Sequence, residues 1–159
     1  MKKKICFLIL LLSSSVFSQK KILDHSDFDI WNKIVNPEIS SEGKFVMYSV
    51  EKGEKDQHIK IKDNKSNLIF DYERSEDGKF TYDSKFAVFM IKAWKDSITE
   101  MKRKNVEKEK LPRDSIGIFN LENNSLHKIA NIKSYKIPKK WSGFLAYTYD
   151  KTPLDQNNK

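Results

Sequence analysis

An all-β, repetitive fold is what this sequence predicts, and three observations predict it. Short runs rich in aromatic and β-branched residues recur along the chain. Clusters of Asp, Asn, Ser, Gly and Lys separate those runs and read as turns. The runs restart at intervals of one structural repeat rather than at random.

The chain opens differently. Lys2, Lys3 and Lys4 precede an unbroken apolar run from Ile5 to Leu12, and Ser13-Ser14-Ser15-Val16-Phe17-Ser18 follows. A basic start, a short apolar centre and small residues at its end are the plan of a secretory signal peptide, with cleavage expected between Ser18 and Gln19. A membrane span needs about 20 apolar residues, so no stable membrane insertion is expected after cleavage. Cys6 stands at the start of the apolar run, away from any cleavage point, so no lipid anchor is expected. The mature chain is expected in the periplasm or the medium. It would hold 141 residues, no cysteine and 27 basic against 22 acidic residues. Disulfides and thiolate chemistry are thereby excluded from the mature part.

Residues 19–37 form the next unit. Phe28, Trp31 and Val35 recur at helical spacing, Ser26 is placed to cap, and Pro37 is placed to stop. A short helix over residues 24–36 is expected, packed on the body through Phe28 and Trp31.

From residue 38 to 151 the pattern is β. Strands are expected at 44–50, 58–62, 68–72, 85–91, 116–121, 126–129 and 143–149, with turns at 63–67 and 122–125. Three restarts align: Ser41-Glu-Gly-Lys-Phe45, Asp83-Ser-Lys-Phe86 and Trp141-Ser-Gly-Phe144. Their phenylalanines lie 41 and 58 residues apart. The first interval fits one four-stranded propeller blade of about 40–45 residues. The second contains an insertion, residues 97–112. Ser97-Ile-Thr-Glu100 there has the form of a helix-capping box, and lysines alternate with glutamates up to Pro112. The expected fold is therefore about three antiparallel blades of an incomplete β-propeller, preceded by a signal peptide and a short helix, with one basic helical or loop insertion. Residues 152–159 are a polar tail. Closed propellers use about four to eight blades, so three would leave an open sector with unpaired strand edges.

The search for chemistry is largely negative. The glycines are Gly43, Gly53, Gly78, Gly117 and Gly143, too widely spaced for a Gly-x-Ser-x-Gly elbow, a P-loop or a dinucleotide fingerprint. The three histidines, His25, His58 and His127, are far apart, so no local zinc motif is present. Asp24-His25-Ser26-Asp27 holds the residue types of a triad, but contiguous residues cannot all face one another. Acidic residues are mixed among the lysines, as in Glu51-Lys52-Gly53-Glu54-Lys55-Asp56, which is the pattern of a solvated surface rather than a nucleic-acid footprint. Most aromatics fall at core spacing, with Trp94 and Trp141 near strand edges. No catalytic, metal or cofactor-binding residue is assigned, and nucleic acid is not an expected partner.

Asp29-Ile-Trp31, Ile39-Ser-Ser-Glu-Gly-Lys-Phe-Val-Met-Tyr-Ser49, Ala93-Trp-Lys-Asp-Ser97 and Leu111-Pro-Arg-Asp-Ser-Ile-Gly-Ile-Phe-Asn-Leu121 together resemble the N-terminal region of secreted prolyl oligopeptidase-family serine peptidases of the Bacteroidetes type. The resemblance covers residues 20 to 149. It implies a propeller that restricts peptide access to a Ser-Asp-His triad in a following α/β-hydrolase domain, which this chain would lack. Peptide substrates would then be partners of the full-length parent. The other expectation is a non-enzymatic exported β-repeat module that docks another envelope protein through exposed strand edges.

Overall fold

The computed structural model describes Asp24, Asp27, residues 31–53 and residues 56–150. Among these, ten strands account for most of the regular structure. They are β1 (Asn32–Ile39), β2 (Phe45–Lys52), β3 (His58–Asp63), β4 (Leu68–Glu73), β5 (Ser75–Phe80), β6 (Phe86–Ile91), β7 (Ser115–Asn120), β8 (Leu126–Ala130), β9 (Ile132–Lys136) and β10 (Ala146–Tyr149). One helix, α1 (Lys95–Arg103), and a single 3-10 turn (Lys108–Lys110) lie between β6 and β7. The expected signal peptide and the polar tail lie outside the described residues.

The strands form meanders in chain order. One sheet runs β1-β2-β3-β4, a second β5-β6-β7-β8, and a third pairs β9 with β10, all antiparallel. None closes into a barrel. The strand expected at the third restart, residues 143–149, is shorter than the sequence implies: pairing begins at Ala146, and Phe144 lies in the preceding loop, exposed.

The phenylalanine restarts mark the second strand of successive sheets. Phe45 opens β2 and Phe86 opens β6. The turn before each is closed identically. Ser40 N–H bonds the Phe45 carbonyl at 3.0 Å, and Phe45 N–H bonds Ser40 Oγ at 3.1 Å. One repeat on, Thr81 N–H bonds the Phe86 carbonyl at 2.9 Å and Phe86 N–H bonds Thr81 Oγ1 at 3.1 Å. The left-handed position falls on Gly43 (φ 68°) in one turn and Ser84 (φ 56°) in the other. Ser84 Oγ also accepts the Glu42 N–H at 3.3 Å, so the two turns touch.

Asp27 is helical, but from Asn32 onward the chain departs from the helix expected over residues 24–36. Residues 32–35 are extended in β1 and pair with Ser49 to Lys52. Their partner strand offers a row of backbone groups that a helix would leave unpaired, and pairing wins over local spacing. Pro37 does not end a helix. It sits on the edge strand β1 within a bulge between Val35 and Glu38, where Asn36 takes φ 50°. A proline is tolerated there because no ladder donor is required of it. Trp31 is 54% exposed, and Phe28 lies outside the described residues.

The second sheet is covered on both faces. Ala87, Phe89 and Ile91 of β6 face the first sheet and join Met47, Ile59, Ile61, Phe80, Phe119 and Leu121 in one buried cluster. Phe70 of β4 stacks on Phe119 at 4.0 Å between ring centroids and leans on Phe89 at 5.5 Å. Val88 and Met90 alternate to the other face, where they meet Ile116 and Ile132. Tyr135 of β9 places its hydroxyl between the backbone carbonyls of Asp77 and Val88, the latter at 3.0 Å, and burial pushes its pKa upward. Backbone bonds also join neighbouring sheets. Ser75 N–H bonds the Gln57 carbonyl, and one repeat on Ile132 N–H bonds the Asp114 carbonyl.

Gly117 faces Phe89 across the β6–β7 ladder. A Cβ there would stand 2.6 Å from the Phe89 ring, which fills the space a side chain would need. Gly117→Val is expected to destabilise the fold by about 1–3 kcal/mol through overpacking, read as a lower urea midpoint at unchanged slope.

Glu38 ties the first sheet to the second, its Oε1 accepting the Phe80 N–H at 3.2 Å. Burial raises its pKa from the ordinary 4.5, against the opposing pull of the Phe80 N–H and Lys79. A raised carboxyl favours folding while protonated, and that contribution is lost as pH rises through the folded value. Glu38→Gln keeps an acceptor and removes the charge. It should be at least as stable as the wild type at pH 7, with the gap narrowing as pH falls through the raised folded value and steady once pH is below the ordinary 4.5. Urea unfolding at the two pH values measures this.

Candidate functional site

No residue was assigned a catalytic role from the sequence, so the site is sought from geometry. His25 and Ser26 lie outside the described residues. His58 Nδ1 stands 3.5 Å from Asp71 Oδ1, and Lys60 Nζ holds the same carboxylate at 2.6 Å. His127 is exposed on β8. Among the described residues no serine or threonine hydroxyl bonds either imidazole. Nor does any group of three His, Cys, Asp or Glu side chains come close enough to share a metal ion. No helix among them is long and apolar enough to cross a membrane.

Among the described residues, clefts, cations and aromatics converge at the β6–β7 connection with the turn before β5. Of the helix or loop expected for residues 97–112, the first part is helical, and the helix begins two residues before Ser97. Trp94 occupies the cap position without a side-chain bond, so the expected capping box does not form. Thr99 instead turns its hydroxyl back to the Lys95 carbonyl at 2.9 Å. The insertion returns through Arg113, which bonds the Asp150 carboxylate at 2.9 Å and its carbonyl. A wide groove of about 830 Å3 runs beneath α1 between Ile98, Val106, Leu111 and this Arg113–Asp150 pair.

Beside that groove is a smaller cleft of about 250 Å3. Arg74 stands at its rim in a left-handed backbone conformation (φ 57°). Arg74 Nη1 donates to the Lys92 carbonyl at 3.1 Å, Lys92 N–H returns a bond to the Arg74 carbonyl at 2.7 Å, and the guanidinium lies 4.5 Å over the Trp94 ring. Lys128 and Tyr72 also line the cleft, with Lys128 Nζ 4.8 Å over the Tyr72 ring. Four cationic residues line the cleft, Arg74, Lys92, Arg113 and Lys128, and no acidic residue lines it.

Two of the four are neutralised from outside the wall. Lys92 binds Asp114 at 2.6 Å and Glu76 at 3.2 Å, and Arg113 binds Asp150. Burial alone would lower the Lys92 pKa, but the two carboxylates outweigh it and hold the ammonium above the ordinary 10.5. Arg74 and Lys128 make no ion pair among the described residues. Little in the sequence signals this assembly. Trp94 reads only as an edge aromatic, and Arg74 and Lys128 lie 54 residues apart with no shared motif.

Comparison with solved structures adds a likeness of fold. The chain resembles the solved structure of Pyrococcus horikoshii acylaminoacyl peptidase, with a TM-score of 0.51 and 16% identity over 73% of this chain. It spans 17% of that protein's length. At this identity the likeness concerns the fold. No protein-family model matches the chain, and no curated protein matches it.

Lys92→Met should cost about 1 kcal/mol by leaving Glu76 and Asp114 without their cation. A lysine with a raised folded pKa stabilises fully below its unfolded value, and the benefit is lost as pH rises through the folded one. The difference from wild type should therefore hold between about pH 6 and 9 and shrink above the ordinary 10.5, as read by urea unfolding across that range.

Proposed function

We propose that this chain supplies opening blades of a β-propeller in an exported prolyl oligopeptidase-family serine peptidase. Its role there is to restrict and position peptide substrates, and hydrolysis belongs to a separate α/β-hydrolase domain. The observation that carries this reading is the repetition of a four-stranded meander with the same Ser/Thr-closed turn, stacked face to face with its neighbour. Stacked sheets of this kind are the units of propellers. The likeness to a peptidase structure, over part of that enzyme, supports the same assignment. In this reading residues 1–18 direct export, to the periplasm or the medium.

A second reading has its own observation. All four residues of β10 are exposed, and its outer edge pairs with no strand among the described residues. Such an edge is a template for another strand, which fits a non-enzymatic module docking an envelope protein.

Reading the coding sequence past Lys159 separates the two. A downstream Gly-x-Ser-x-Gly in an α/β-hydrolase domain, with peptidase activity in the full-length product and none in residues 1–159, is the expected result. A stop codon with no hydrolase following would favour the docking module. Turnover by the 159-residue chain alone would overturn both.

A further inference from the structure

We propose that the cleft beside α1 binds the carboxylate of a short peptide. The argument is one of unbalanced charge in a shaped space. The walls carry four cations and no anion. Lys92 and Arg113 already have carboxylate partners, which leaves Arg74 and Lys128 without an ion pair among the described residues, each over an aromatic ring. Arg74 is held in place by Trp94 below it and the Lys92 carbonyl beside it. Only one of its donor atoms is used in that bond, so others of the planar fork remain for a ligand, and that fork matches a carboxylate in two bonds at once. Ser115, which also lines the cleft, adds a hydroxyl.

Trp94 and Tyr72 set the other half of the specificity. Their rings give the cleft apolar sides, suited to the flat peptide unit or apolar side chain that carries the anion. A volume of about 250 Å3 admits one terminal residue and its carboxylate, not a folded partner. The tight shell of partners around Arg74 also means little ordering is left to do when the ligand arrives.

The site stands on its own side chains, whatever domain follows this chain. The test is calorimetric titration of the 159-residue protein, at low salt, with N-acetyl-Gly-Phe and separately with its C-terminal amide. The free acid should bind at least about tenfold more tightly than the amide, a difference of about 1.4 kcal/mol. Lys128→Gln, a change at an exposed head group, should weaken the acid about fivefold or more and leave the amide unchanged, with the thermal midpoint of both proteins alike. Equal binding of acid and amide, no binding of either, or indifference to Lys128→Gln would each overturn the proposal. Inorganic phosphate serves as competitor. Displacement of the peptide by an equal concentration of phosphate would show a general oxyanion site and overturn the assignment to a peptide, whereas displacement only at a large excess supports it.

Discussion

Strand β6 has no side that water can cover. Ala87, Phe89 and Ile91 point one way and Val88 and Met90 the other, and all five are buried. A strand that is half exposed alternates apolar with polar residues, whereas this one is apolar at every position. Its sheet must therefore be sandwiched. Each of the larger side chains is worth about 1.5–3 kcal/mol when removed from water, so leaving either face bare would forfeit a large part of a small domain's net stability. The first sheet covers one face through Phe70, Ile59 and Met47, and β9 covers the other through Ile132 and Tyr135. The stacking of sheets follows from this need rather than from the loops.

Within that stack the repeat is kept by backbone geometry more than by side-chain identity. Serine closes one turn and threonine the next, and glycine holds the left-handed position in one and serine in the other. The bulges repeat as well. Asn36 in β1 and Asp77 in β5 both take positive φ at a register shift, and each bulge bends the first strand of its sheet. Close approach of neighbouring sheets adds a further constraint. Gly78, next to the second bulge, has the Met47 sulfur 2.6 Å from where its Cβ would be, so the first sheet sits directly on the backbone of β5.

This explains what the sequence disclosed and what it hid. Strands β2, β3, β4, β6, β7 and β8 were legible because their apolar runs or clean alternation survive along their length. His58-Ile-Lys-Ile-Lys62 is the plainest case. The first strand of every sheet was missed. Asn32–Ile39 contains Asn-Pro, Ser75–Phe80 contains Asp-Gly, and β9 is interrupted opposite the Thr148/Tyr149 shift. A bulge breaks the two-residue period on which strand reading depends. The helical spacing ahead of β1 rests on Phe28 and Trp31, which precede the strand, and only Val35 of that set falls within it. The cleft was hidden for another reason: Arg74, Trp94 and Lys128 come from three separate connections and strands, and only the folded sheets bring them together.

The insertion between β6 and β7 leaves the ladder on either side intact, from Phe86 opposite Asn120 to Ile91 opposite Ser115. Closing a longer flexible connection costs only about 0.6 kcal/mol for each doubling of its length, a sum that one well-buried leucine would outweigh. The scaffold can thus accept new material at this point almost without penalty. Over evolutionary time that makes this connection a place where the protein can change what it recognises while its architecture stays as it was.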